Sequence, residues 1–282
     1  MSGATPFTIV LGNSKGGTGK STLAMHVSVA LLQAGYRVGT LDLDGRQASF
    51  SHYIANRRAT AEQQRPQLRI PSHLQLDPDV AAAPDPVAAR SALEAALHRI
   101  GEVDVLVMDT PGADTALSQA GHILADVLVS PVNDSLMDLD ILADIDPVRR
   151  KVTAPSHYTK RIWEVTNTRV AAGLPAVDWL LVRNRLSHSD AHNAREIDRL
   201  LPKLADRIGF RISPGLRERV IYRELFLEGL TVLDLTPTEL SMSHSRRLAR
   251  DEVLGLIGDI GLALPPGVTA ARAPLNSPSP AA

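Results

Sequence analysis

Between Ser14 and Thr22 the chain reads Ser-Lys-Gly-Gly-Thr-Gly-Lys-Ser-Thr. Gly16, Gly17 and Gly19 let backbone N–H groups turn inward around anionic oxygens, and Thr18 and Thr22 complete the loop. Lys20 has the reach for the β- and γ-phosphates of ATP, and the Ser21 hydroxyl suits Mg²⁺. Asp42, Asp44 and Asp109 each end an apolar run elsewhere in the chain. Asp109 is expected to hold Mg²⁺ through a bound water, Asp42 to support the metal shell, and Asp44 to orient the water that attacks the γ-phosphate. Any one of these aspartates alone reads better as a helix cap or turn former. Three beside one phosphate loop point to nucleotide hydrolysis.

Chemistry of this kind needs elements that bring those residues to one edge. Phe7 to Leu11 reads as a buried strand entering the glycine loop, and Leu23 to Leu32 as the helix leaving it. The helix N-terminus then adds partial positive charge toward the bound anion. Tyr36–Asp44, Val103–Asp109, Val127–Val132 and Trp179–Val182 read as further strands, the last running into Asn184. Strands without alternation, separated by helical segments, imply a doubly wound, mostly parallel α/β sheet with helices on both faces: a P-loop NTPase fold. Its working groups belong at the carboxyl ends of the strands.

Between residues 52 and 98 the pattern is weaker. Asn56-Arg57-Arg58 reads as a helix end, Leu68 to Leu76 as holding a short extended piece, and Val87 to Ile100 as a helix, with prolines marking residues 59–90 as a surface excursion. Further helices are expected over Leu136–Lys151, Ala191–Ile208, Leu216–Leu227 and Glu239–Gly261. In the second of these, Ile197, Leu200, Leu201, Leu204 and Ile208 form the apolar face, and Pro202 is placed to kink or restart the helix. Arg195, Arg199 and Lys203 form a basic stripe that can neutralise phosphates of DNA, although a solvated face is the commoner reason for such a stripe. Residues 1–263 are expected to form one ATPase domain. Residues 264–282, with five of the chain's 19 prolines, read as a disordered tail.

The 282 residues contain no cysteine, which excludes disulfides, thiolate metal sites and cysteine nucleophiles. A formal net charge of −1 hides an asymmetry: residues 1–144 hold ten Lys/Arg and sixteen Asp/Glu, whereas residues 145–252 hold nineteen and fourteen. The N-terminal sequence is not a signal peptide and no apolar run approaches membrane-spanning length, so a cytoplasmic protein is expected.

The pattern Lys15-Gly-Gly-Thr-Gly-Lys20-Ser-Thr resembles the deviant phosphate loop of the ParA/MinD family of ATPases. The stretches Pro131–Ser135, Trp179–Leu186 and Gly209–Phe226 are similar to its MipZ branch, the resemblance covering most of residues 7–258. The resemblance implies that Lys15 reaches across a homodimer to the partner's ATP, stabilising charge as an arginine finger does. It implies that Asp44 lies in a first switch, that Asp109-Thr-Pro-Gly112 forms a second, and that Asn184 contacts adenine. It further implies an ATP-bound dimer on DNA without sequence preference, associated with the nucleoid. That dimer inhibits FtsZ polymerisation, and ParB recruits the monomer at the chromosome origin. Thr18 departs from the branch's Ala or Val. A ParA-type partition ATPase uses the same motifs and remains the alternative. MinD-like membrane binding needs a basic amphipathic C-terminal helix, which the Pro/Ala-rich end lacks. A metabolic synthetase resembling dethiobiotin synthetase leaves the basic second half unexplained, and a nitrogenase iron protein needs cysteines.

Overall fold

A computed structural model describes residues 5–82, 84–146, 151–186, 191–241 and 243–262. Its centre is a seven-stranded sheet. The strands are β1 (Phe7–Leu11), β2 (Val38–Asp42), β3 (Ser72–Gln75), β4 (Val105–Asp109), β5 (Val127–Asn133), β8 (Asp178–Asn184) and β9 (Arg211–Ser213). Their order is β3-β2-β4-β1-β5-β8-β9, every pair parallel. Burial on both faces explains the unbroken apolar runs: β2 and β4 are buried along their whole length.

Two helical layers cover the sheet. On one face α1 (Lys20–Gln33), α2 (Ser49–Gln63), α8 (Ile221–Leu227), α9 (Pro237–Ser241) and α10 (His244–Ile260) enclose a core that includes Leu23, Phe50, Tyr53, Leu225 and Val253. On the other, α4 (Pro86–Ile100), α5 (Ala116–Leu124), α6 (His157–Ala171) and α7 (Ala191–Ile208) pack Leu93, Leu117, Ile162 and Leu201 against the sheet. The short α3 (Pro78–Ala82) follows β3. Helix α1 is buried from Leu23 through Leu32, so the element leaving the phosphate loop is the most enclosed helix segment of its layer.

Four expectations are corrected. Leu136–Lys151 is not one helix: a 3₁₀ turn (Leu136–Ile141) leads into an antiparallel pair, β6 (Ala143–Asp146) with β7 (Lys151–Pro155). Pro147 disfavours helical backbone at the residue before it, and Val152 and Thr153 are β-branched. Helix α8 begins at Ile221 rather than Leu216, because Leu216 donates its N–H to the Arg183 carbonyl at 2.9 Å and Arg217 bridges to Leu186. The expected Glu239–Gly261 helix is two helices, the second starting where the Ser243 hydroxyl caps the Arg246 N–H. Helix α2 also continues past Arg58 to Gln63. The tail expected at residues 264–282 lies outside the described residues. Among the described residues no helix is long and apolar enough to cross a membrane.

Candidate nucleotide site

The glycine loop joins β1 to α1 at the carboxyl edge of the sheet. Gly19 caps α1 with φ +92°, and a Cβ there would come within 2.3 Å of the Asn184 side-chain nitrogen. Both the left-handed backbone and the close approach therefore require glycine. Asn13 is buried and braces the loop: its amide donates to the Pro131 carbonyl, and its Oδ1 accepts the Lys15 N–H at 2.7 Å. Lys20 is buried, its Nζ donating to the Lys15 carbonyl at 3.0 Å. Burial lowers its pKa, while Asp109 and Asp44 oppose that shift.

Sheet register sets Asp42 directly beside Asp109, and both are buried. Asp109 accepts the Ser21 hydroxyl on Oδ2 at 2.5 Å, while its Oδ1 is buried without a partner. Desolvation, then the neighbouring Asp42 charge, pushes the Asp109 carboxyl up to about 8. Asp42 is also raised, first by burial. Its two oxygens hold the following loop: Oδ1 accepts the Asp44 N–H at 3.0 Å, and Oδ2 accepts the Ser51 N–H and hydroxyl at 2.9 Å. Asp44, half-buried, accepts the Gln47 N–H at 3.1 Å and so forms a turn before α2.

Asn184 donates from its side chain to the Thr18 carbonyl at 2.7 Å, which ties the end of β8 to the loop. Thr18 itself is buried with its hydroxyl unpartnered. Lys15 sits at the rim, one-third exposed. The loop, Asp42, Asp44, Asp109 and Asn184 thus converge on one edge. Arg195, Arg199 and Lys203 do not join them; they lie exposed along α7, opposite its buried Ile197, Leu201 and Leu204.

The donor set fits a magnesium nucleotide. Two buried oxygens, Asp109 Oδ1 and Thr18 Oγ1, lack partners beside a backbone nest and a buried ammonium. A hard cation suits the Ser21 hydroxyl and the Asp109 carboxylate.

Asn13 carried no motif signal. Gly112, the last residue of the Asp109-Thr-Pro-Gly112 stretch, packs so tightly on the loop that a Cβ there would lie 2.8 Å from the Gly16 nitrogen. Arg57, read from the sequence as part of a helix end, is buried and makes a bidentate pair with Asp234, both contacts at 2.9 Å. That pair ties α2 to the segment after α8. Among the described residues, the two non-glycine positions with positive φ, Ala48 (48°) and Arg185 (53°), both flank this edge.

A parallel sheet in this order, with a strand–glycine loop–helix unit ending in Lys-Ser and an acidic strand end beside it, defines a P-loop ATPase fold of the ParA/MinD type. The chain belongs to the MipZ family of ATPases, whose sequence profile matches residues 7–265. A similar curated protein is the maintenance of carboxysome distribution protein A of Halothiobacillus neapolitanus, 26% identical over 262 residues, covering 92% of this chain and 99% of that one. An iron-sulfur cluster carrier protein of Deinococcus radiodurans is 28% identical over 161 residues, half of this chain and 45% of that protein. Among solved structures, apo McdA of Cyanothece superposes with a TM-score of 0.61 at 17% identity, covering 91% of this chain and 99% of that one. The septum site-determining protein MinD of Pyrococcus horikoshii, complexed with Mg-ADP, gives 0.54 at 16% identity over 91% of this chain and 96% of that one.

Proposed function

We propose that this chain is a slow, Mg²⁺-dependent ATPase that works as a spatial switch: residues 1–263 form one ATPase unit, which dimerises with ATP, binds DNA without sequence preference and inhibits FtsZ assembly away from ParB-marked origins. The family match over residues 7–265 carries this reading. Gly16, Gly17, Thr18, Gly19 and Thr22 would cradle the phosphates, with Lys20 on the β- and γ-oxygens. Ser21 and Asp109 would hold Mg²⁺, with Asp42 fixing the loop beside them; the cation neutralises phosphate charge when bound. Asp44 would orient the attacking water, and Asn184 would contact adenine. Lys15 would complete the partner's site, in the manner of a charge supplied across an interface.

Arg195, Arg199 and Lys203 support the DNA reading, since the stripe lies on the exposed side of α7. Dimerisation doubles the number of phosphates neutralised, and both affinity and its salt slope rise with that number. The monomer is then nearly free while the dimer stays bound. Hydrolysis removes the γ-phosphate, the dimer separates, and the protein leaves DNA, so turnover sets the lifetime of the bound state. On this reading the protein is cytoplasmic and nucleoid-associated.

The likeness to a carboxysome distribution protein over nearly both full lengths favours a second reading, partition of a cargo on DNA. FtsZ assembly followed by light scattering, with this protein in ATP and then in ADP, separates the two. Inhibition in ATP alone is expected. No effect in either state, with ATP-dependent DNA binding intact, would transfer the assignment to partition.

A further inference from the structure

Lys15 is held within its own chain. Its Nζ lies 3.2 Å from Asp138 Oδ1 and 2.5 Å from Asp140 Oδ1. Both acids belong to the 3₁₀ turn Leu136–Ile141, which leaves the sheet after β5. Leu139 between them is buried, and with Ile141 it anchors the turn in the core. The acids therefore come from a fixed support rather than a free loop. The Lys15 backbone is fixed as well, by the Asn13 side chain. Only the lysine side chain needs to move to exchange one anionic partner for another. Side-chain exposures of 33% for Lys15, 20% for Asp138 and 61% for Asp140 put the cluster at the rim, partly screened but not freely solvated. Hydrogen bonds to the two acids favour the protonated lysine and, against desolvation, raise its pKa overall.

We infer that Asp138 and Asp140 form an intramolecular latch for Lys15, so that the two acids set the protein concentration at which the ATP-bound chain dimerises. The inference rests on the dimer reading above. Attraction spent on two carboxylates in one subunit is lost to a phosphate in the other. Releasing the lysine also leaves two neighbouring carboxylates without their cation. Partly exposed ion pairs each contribute a factor of up to roughly five to an equilibrium; a combined hold of about fivefold on each Lys15, counted twice because a dimer uses two lysines, makes removal of both charges shift the dimerisation threshold by about 25-fold.

The test compares wild type with Asp138→Asn, Asp140→Asn and the double variant by sedimentation velocity in Mg-ATP over a range of protein concentrations. Asp140 is largely exposed, so its isosteric change leaves folding intact even if the double variant loses stability. A second readout is independent of dimerisation: the rate at which an amine-acylating reagent labels Lys15 in nucleotide-free protein, located by peptide mass spectrometry. The expected results are labelling about fivefold faster in the double variant, and dimerisation at about 25-fold lower concentration, with the gap narrowing as salt is raised. Unchanged labelling would show that the ion pair does not hold Lys15 in solution and would overturn the latch. Faster labelling with an unchanged or higher dimerisation threshold would overturn its control of assembly. Faster labelling with no ATP-dependent dimer in any variant would sink the dimer reading itself, and the control with it.

Discussion

Gly112 follows Asp109-Thr-Pro and rests on the phosphate loop. A Cβ at this position would lie 2.8 Å from the Gly16 nitrogen, 2.9 Å from its Cα and 3.0 Å from the Lys15 carbonyl carbon. All three atoms are backbone, so no side chain can rotate away. Ordinary contact requires a shift of about 0.6 Å in one segment or the other. Overpacking of this kind costs about 1–3 kcal/mol. If the nest opens to relieve it, nucleotide affinity falls by about 5- to 150-fold. Gly112→Ala is therefore expected to weaken equilibrium binding of a fluorescent ATP analogue by that factor and to lower the melting temperature without nucleotide by a few degrees. Gly255→Ala is the control: it lies within α10, a Cβ there meets nothing within 4 Å, and the change should stabilise slightly without altering affinity. Wild-type affinity and melting in Gly112→Ala would refute the close-packing argument, because that argument leaves the added atom no space.

The buried carboxylate makes a pH prediction. Asp109 titrates near about 8 in the fold, above its unfolded value, so its contribution to stability is full below about pH 4 and is lost as pH rises through about 8. Asp109→Asn should unfold at higher urea than wild type at pH 8, with a smaller gap at pH 5, a difference of order a few kcal/mol; a gap independent of pH would remove the buried carboxylate as its cause. The Arg57–Asp234 pair makes a second. Arg57→Met leaves Asp234 buried without its cation and should cost about 3–5 kcal/mol in denaturant unfolding, whereas Arg57→Met with Asp234→Leu should recover part of it. No recovery in the double variant would mean that packing rather than the unpaired charge sets the loss.

The phosphate loop and the strand-end aspartates were legible because the relevant physics is local. A glycine nest, a lysine and a hydroxyl work as a contiguous unit, and strands buried on both faces write themselves as apolar runs whose ends locate Asp42 and Asp109. The α7 face was legible for the same reason, with Ile197 and Leu201 buried and Arg199 exposed as the periodicity requires. Register decided the rest. Only the pairing of β2 with β4 sets Asp42 beside Asp109, and only the order of β1, β5 and β8 brings Asn184 to Thr18. The helix expected over Leu136–Lys151 became a 3₁₀ turn and a strand pair; that is how two acids more than 120 residues from Lys15 come to meet it. Gly112, Asn13 and Arg57 owe their roles to segments distant in sequence rather than to neighbours: a close backbone approach to Gly16, a buried amide on the Pro131 carbonyl and a desolvated ion pair with Asp234. Residue type and spacing state which chemistry a segment is able to perform; distances between segments far apart in sequence arise only when the chain is packed, because burial and pairing energies depend on which surfaces meet.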